Sequence, residues 1–114
     1  MSVKTKCVYD EAEPDDGFRL LVMRFWPRGV RKDRVDGWEK ELGAPKDLIK
    51  DWKSGAITWA EFSKRYRTAM REQQGKIAEL AERANKETIT LLCSCREGNR
   101  CHRFLLKKLI AKSG

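Results

Sequence analysis

Three consecutive residues, Cys101-His102-Arg103, bring together a nucleophile, the chain's single histidine and a permanent cation. The thiolate is the reactive form of cysteine, and a neighbouring base or guanidinium favours it. Asn99 is a candidate N-cap, which would set Cys101 and His102 in the first turn of a helix. The partial positive charge at a helix start also favours a thiolate there. The pair would then serve as a nucleophile with a proton partner, or as a clamp for an anion. The alternative is that Cys101 is a small buried hydrophobe, as cysteines outside disulfides commonly are. Adjacency in sequence does not choose between the two.

Cys93 and Cys95 stand just upstream. Together with Cys101 and His102 they supply donor types that suit zinc. The spacing Cys-x-Cys-x5-Cys-His is nevertheless unlike the usual zinc pairs, which sit two to four residues apart. Neighbouring residues on a helix also point about 100° apart, which disfavours chelation of one ion by Cys101 and His102. No metal site and no cofactor are therefore expected from the sequence. Cys95-Arg96-Glu97-Gly98-Asn99-Arg100 resembles the active-site loop of rhodanese-type sulfurtransferases, in which a Cys past a strand carries a persulfide within a cradle of backbone N–H groups. A Gly-bearing loop entering a helix is such an anion nest. The likeness spans about ten residues, and the upstream histidine segment of rhodaneses has no counterpart.

The elements that must position these residues can be read from periodicity. Val3, Thr5, Cys7 and Tyr9 alternate with Lys4 and Lys6, the period of a strand with one wet face. Residues 10–17 are acidic and turn-rich. Phe18 to Phe25 is nearly continuous apolar sequence, which predicts a strand buried on both faces. Pro27 and Gly29 end it. Gly37 to Leu42 and Asp47 to Trp52 are short helix candidates around Pro45. Thr58-Trp59-Ala60-Glu61 forms a capping box. Behind it a stripe of Trp59, Phe62, Tyr66, Ala69, Met70, Ile77, Leu80 and Ala84 has helical spacing and reads as core, with Gly75 marking a break. Thr88 to Cys93 predicts a second buried strand, and Cys101 to Lys112 a last helix with Leu105, Leu109 and Ile110 inward.

Strand, helices, strand is the βαβ pattern, whose crossover makes the two buried strands parallel. The expected fold is a single α/β domain over 1–114, with a short, mostly parallel sheet of three to four strands flanked by helices. Ligands of open α/β sheets bind beyond the carboxyl ends of the strands. The loops after both buried strands, 26–29 and 94–103, would emerge on that edge.

The charge follows the same map. The chain of 114 residues carries a formal net charge of +8. Residues 19–34 hold six basic residues against Asp33, and residues 88–114 hold six against Glu97. Two basic segments converging on one edge predict an anion-binding surface rather than two solvated faces. Arg24, Arg28 and Arg103 would hold a phosphate or carboxylate, with Asn99 and Arg100 beside them. Trp26, next to Arg24 and Arg28, would either stack a base or pack over a helix end, and packing is the ordinary outcome. No apolar run reaches the ~18–20 residues of a membrane span, and no signal peptide is visible, so the cytoplasm is the default. The charge would also suit nucleic acid, although no helix-turn-helix, zinc finger or RNA-binding sheet motif is present.

A wider resemblance runs from about Lys6 to Ile110. Residues 19–29, with Trp26-Pro27-Arg28-Gly29 as the most specific part, then Trp38 to Leu42 and Trp59 to Tyr66, are similar to the YeaO-like proteins, a bacterial and archaeal family. Leu91-Leu92-Cys93 followed by Cys101-His102-Arg103 resembles a motif in a related branch. The resemblance directs attention to Arg24, Trp26, Arg28, Cys93, Cys101, His102 and Arg103. Met23 stands where YeaO-like proteins usually carry Asp, and Cys95 where the branch often has Glu. An acid/base mechanism built on those carboxylates is thus not carried over, whereas the arginines and thiols are. The expectation is a basic site for a small phosphorylated or carboxylated molecule, with Cys101 or Cys95 as thiolate and His102 as proton partner. Nucleic-acid binding through the same edge and sulfur transfer at Cys95 are the alternatives.

Overall fold

The computed structural model describes residues 2–94 and 101–113. Four strands, β1 (Val3–Cys7), β2 (Phe18–Leu21), β3 (Gly37–Trp38) and β4 (Ile89–Cys93), form one sheet in the order β1-β4-β2-β3. Every pairing is parallel. β4 is buried at all five positions because it has a strand on either side and both its faces are covered. The α-helices among the described residues are α1 (Lys46–Lys53), α2 (Trp59–Met70), α3 (Gln74–Ala84) and α4 (His102–Ser113).

The two faces of the sheet are covered differently. Leu20, Val22, Ile89 and Leu91 pack with the apolar sides of all four helices in the main core. The alternate residues Leu21 and Leu92 point the other way, and with Val8 they form a smaller cluster. Met23, Trp26, Val30 and Val35 from the β2–β3 connection close over it. One face is thus helical and the other is covered by loops. The α/β reading from the sequence holds, with β2 and β4 parallel neighbours across the helical crossover.

Local expectations fared unevenly. Thr58 caps α2 as the sequence implies, its hydroxyl accepting the Glu61 N–H at 3.2 Å. The long stripe splits into α2 and α3 through a 3-10 turn at Arg71–Gln73, ahead of Gly75, which sits inside α3 with open space around it. β2 is shorter than Phe18 to Phe25. After Val22, whose N–H still reaches the Leu92 carbonyl, the chain runs against the backbone of Gly43. A Cβ on Gly43 would lie 2.3 Å from the Arg24 nitrogen, so only glycine permits this approach.

Gly37 to Leu42 does not form the expected helix. Gly37 and Trp38 pair with Leu20 and Leu21 as β3, and a 3-10 turn follows at Lys40–Leu42. The open edge of β2 decides this: its Arg19 and Leu21 carbonyls take the Asp36 and Glu39 N–H groups. Among the described residues no helix is long and apolar enough to cross a membrane.

Candidate functional site

Period two places Cys93, like Ile89 and Leu91, on the helical face of β4, at the strand's carboxyl end. The chain returns to the same point at Cys101, one residue ahead of α4, where the Cys101 carbonyl accepts the Phe104 N–H at 3.1 Å. The Cys101 and Cys93 Sγ atoms lie 3.3 Å apart. His102 Nδ1 is 3.7 Å from Cys101 Sγ. One donor atom from each of the three residues falls within 4.8 Å of the others.

The histidine is oriented by the sheet. His102 Nε2 is bonded to the backbone carbonyl of Val22, just past β2. A carbonyl can only accept, so Nε2 carries a proton, and in the neutral imidazole Nδ1 presents its lone pair towards Cys101. The Tyr66 ring packs against the imidazole, centroids 5.6 Å apart, and its hydroxyl donates to the Leu42 carbonyl at 2.7 Å. Burial, reinforced by negative charge at Cys101 and Cys93, drives the Tyr66 pKa far upward. Tyr66 therefore stays a neutral donor. From the other side, Arg103 Nη1 reaches Cys101 Sγ at 3.8 Å, and its guanidinium lies over the Phe104 ring.

Cys93, Cys101 and His102 border a cavity of about 660 Å³ beyond the carboxyl ends of β2 and β4. Cys93, Ser94, Cys101 and His102 form one wall, and the segment Met23 to Trp26 another. Trp52 and Phe62, from α1 and α2, supply apolar lining, and Lys53 stands at the exposed rim. Arg24 Nη2 donates to the Gly43 carbonyl at 3.2 Å, while its Nε is buried without a hydrogen-bond partner among the described residues. No Asp or Glu occurs among the described residues lining the cavity.

Of the residues singled out from the sequence, Arg24, Trp26, Cys93, Cys101 and His102 meet at this cavity. Arg103 is buried and touches Cys101 without lining it. Arg28 is elsewhere: its side chain is exposed, and its carbonyl accepts the Tyr9 hydroxyl at 2.8 Å. Cys95, Asn99 and Arg100 lie outside the described residues, and with them the expected helix cap and the rhodanese-like loop. Trp26 packs, as the ordinary outcome has it. Its Nε1 donates to the Val30 carbonyl and its ring meets Trp38 edge-on at 5.3 Å.

Phe25 does not enter the core, because β2 has already ended; it is 57% exposed and forms part of the cavity wall. The expected divergence of Cys101 and His102 assumed that both were helical. Cys101 precedes the helix, so its side chain is released from that geometry and turns to His102. Trp52, Lys53 and Phe62 escaped the sequence reading as cavity residues. A helical stripe marks the inward face, and nothing in its spacing shows where that face runs past the core's edge.

A family model described as the active DUF488-N3 subclade matches residues 3–114. The chain belongs to the YeaO-like DUF488 family. It is 38% identical over 110 residues to the Escherichia coli K12 protein named "Uncharacterized protein YeaO", covering 93% of this chain and 94% of that one. Proteins of Mycobacterium tuberculosis H37Rv and Mycobacterium bovis, also named as uncharacterised, are 33% identical over 110 residues, with 95% and 92% covered. No solved structure matches the chain. Family membership agrees with the resemblance carried by Trp26-Pro27-Arg28-Gly29 and Cys101-His102-Arg103.

Proposed function

We propose that the cavity binds a small phosphorylated or carboxylated molecule and that Cys101 acts on it as a thiol nucleophile, with His102 as proton partner. One observation carries this reading. The Val22 carbonyl fixes the imidazole so that the Nδ1 lone pair faces the Cys101 sulfur across 3.7 Å, at the wall of the cavity. That is the relation a general base needs to its nucleophile. The Cys101 proton passes to Nδ1 as the sulfur bonds to an electrophilic carbon or phosphorus. The leaving group departs with the bonding pair and regains the proton from the imidazolium.

The lining favours an anion. Arg24 and Lys53 are cationic, carboxylates are absent from the described lining, and the Arg24 Nε hydrogen has no acceptor among the described residues. Arg103 supports negative charge on the Cys101 sulfur from behind. The apolar surfaces of Trp52 and Phe62 would take the uncharged part of the molecule.

The test is site-resolved alkylation of the folded protein at neutral pH, read by peptide mass spectrometry. Cys101 is expected to react faster than Cys7, to slow when His102→Gln removes the base, and to be protected by millimolar inorganic phosphate or a simple carboxylate. Thiols that stay silent until the protein unfolds would remove the nucleophile and overturn the reading. Reactivity unaffected by either anion would remove the anionic substrate from it.

A further inference from the structure

The same three side chains have a geometry that the nucleophile reading does not use. We infer that Cys93, Cys101 and His102 form a site for a thiophilic divalent cation of the zinc class, with its fourth position open to the cavity. Zinc binds thiolate sulfur at about 2.3 Å and imidazole nitrogen at about 2.0–2.1 Å, and tetrahedral angles then set two sulfurs about 3.8 Å apart and sulfur and nitrogen about 3.6 Å apart. The observed separations are 3.3 Å between the sulfurs and 3.7 Å from Cys101 Sγ to His102 Nδ1. Seating an ion asks the two sulfurs to spread by about half an ångström.

Three further features agree. The nitrogen facing the sulfurs is the one with the lone pair, because Nε2 donates to the Val22 carbonyl. Metal-bound histidines are commonly held through the far ring nitrogen in this way, which sets tautomer and ring plane. The Arg103 N–H near Cys101 Sγ would support charge on a bound thiolate. Two thiolates and a neutral imidazole balance a divalent charge, and their softness selects zinc over calcium or magnesium. Among the described residues, three protein donors beside a cavity of about 660 Å³ leave room for water or a small ligand as the fourth, the open arrangement of reactive zinc.

Zinc and an alkylating agent would compete for the same sulfurs, so the ion would mask the thiol chemistry proposed above. Binding requires both thiols to lose their protons, and the affinity should rise with pH until they have done so.

The experiment titrates the metal-free protein with zinc against a chromophoric chelator, and with cobalt(II) as a spectroscopic substitute. One equivalent should bind, with a sulfur-to-cobalt charge-transfer band and the intense visible bands of a four-coordinate ion. Cys93→Ser and Cys101→Ser should each abolish the charge-transfer band or halve it, and His102→Gln should weaken binding at least tenfold. Cys7→Ser, whose thiol is directed to the Ser94 carbonyl, should change neither.

Should a serine variant fail to fold, the unmodified protein still decides: zinc must block alkylation of Cys93 and Cys101 and leave Cys7 as it was. Stoichiometric binding without sulfur bands, or alkylation of both thiols at saturating zinc, would overturn the inference. Zinc binding by a protein whose metal-free Cys101 is inert would uphold the site while removing the nucleophile. Reactive thiols with no affinity for zinc or cobalt would do the reverse.

Discussion

Two groups of buried polar side chains lie on opposite faces of the sheet, and they are finished differently. On the loop-covered face, Asp16 receives hydrogen bonds from Lys6, from Arg19 and from the Glu13 N–H, and its own carbonyl takes the Thr90 hydroxyl at 2.6 Å. Arg19 also donates through Nε to the Arg34 carbonyl, and among the described residues its Nη2 has no partner. These atoms point at one another, and the group pins β1, β2 and β4 to the connection between the first two strands. On the helical face, Cys93, Cys101 and His102 are packed as tightly but border a cavity. The imidazole's far nitrogen is spent on the backbone, and its near one faces the Cys101 sulfur. Buried polarity that closes on itself holds a fold together; buried polarity that faces a space can act on what enters it.

The largest effect should come from the closed group. Asp16→Asn leaves the buried Arg19 without its carboxylate and takes from the half-buried Lys6 one of its two, and should cost about 3 kcal/mol in urea unfolding. Thiol reactivity under native conditions should not follow, and if it fell in parallel the two groups would not be separable. Burial works against the Asp16 carboxylate, but the Glu13 N–H, Lys6 and Arg19 outweigh it and hold its pKa below the ordinary 3.8. A carboxylate held low when folded stabilises the protein above its unfolded value and ceases to do so as pH falls through the folded one. The wild-type protein should therefore lose this increment below pH 3.8, and the Asp16→Asn variant should lack that acid limb.

Tyr66→Phe probes the boundary between structure and site. It strands the Leu42 carbonyl in the core and should cost about 1–2 kcal/mol, while the ring remains against His102. Alkylation and zinc affinity should hold. A large change in either would mean that the tyrosine hydroxyl takes part in the site. Thr58→Ala, far from both groups, should cost about 1 kcal/mol through loss of the α2 cap and leave every site measurement alone. It sets the scale of a purely local effect.

The parts legible in the sequence are those where a single physical effect outweighs the rest. β4 was readable because burial on both faces demands an unbroken apolar run, and the α2 start because a threonine hydroxyl ahead of a helical stripe is suited to take an orphan N–H there. β3 was not. Two residues that pair with an open strand edge carry no pattern of their own, and local propensity yields to the hydrogen bonds on offer. The early end of β2 depends on the contact with Gly43, some twenty residues on, which periodicity cannot register. At the site, the arginine-, cysteine- and histidine-bearing segments were identified and their common edge followed from parallel topology. The closeness of Cys101 to His102 was concealed because a shift of one residue in the helix start frees a side chain from helical geometry.

The order of the strands also bears on how the molecule is made. β4, from residues 89–93, occupies the seat between β1 and β2, and those two strands do not pair with each other. As the chain emerges during synthesis, its first eighty-odd residues carry three strands, two of which, β1 and β2, have the flank meant for β4 unfilled, and three helices whose shared floor is incomplete. The nascent chain thus displays open strand edges until β4 inserts, a template for wrong pairings of the kind that chaperones shield. The thiol-bearing wall is assembled in the same closing step, because Cys93 arrives with β4 and Cys101 and His102 with the helix that follows.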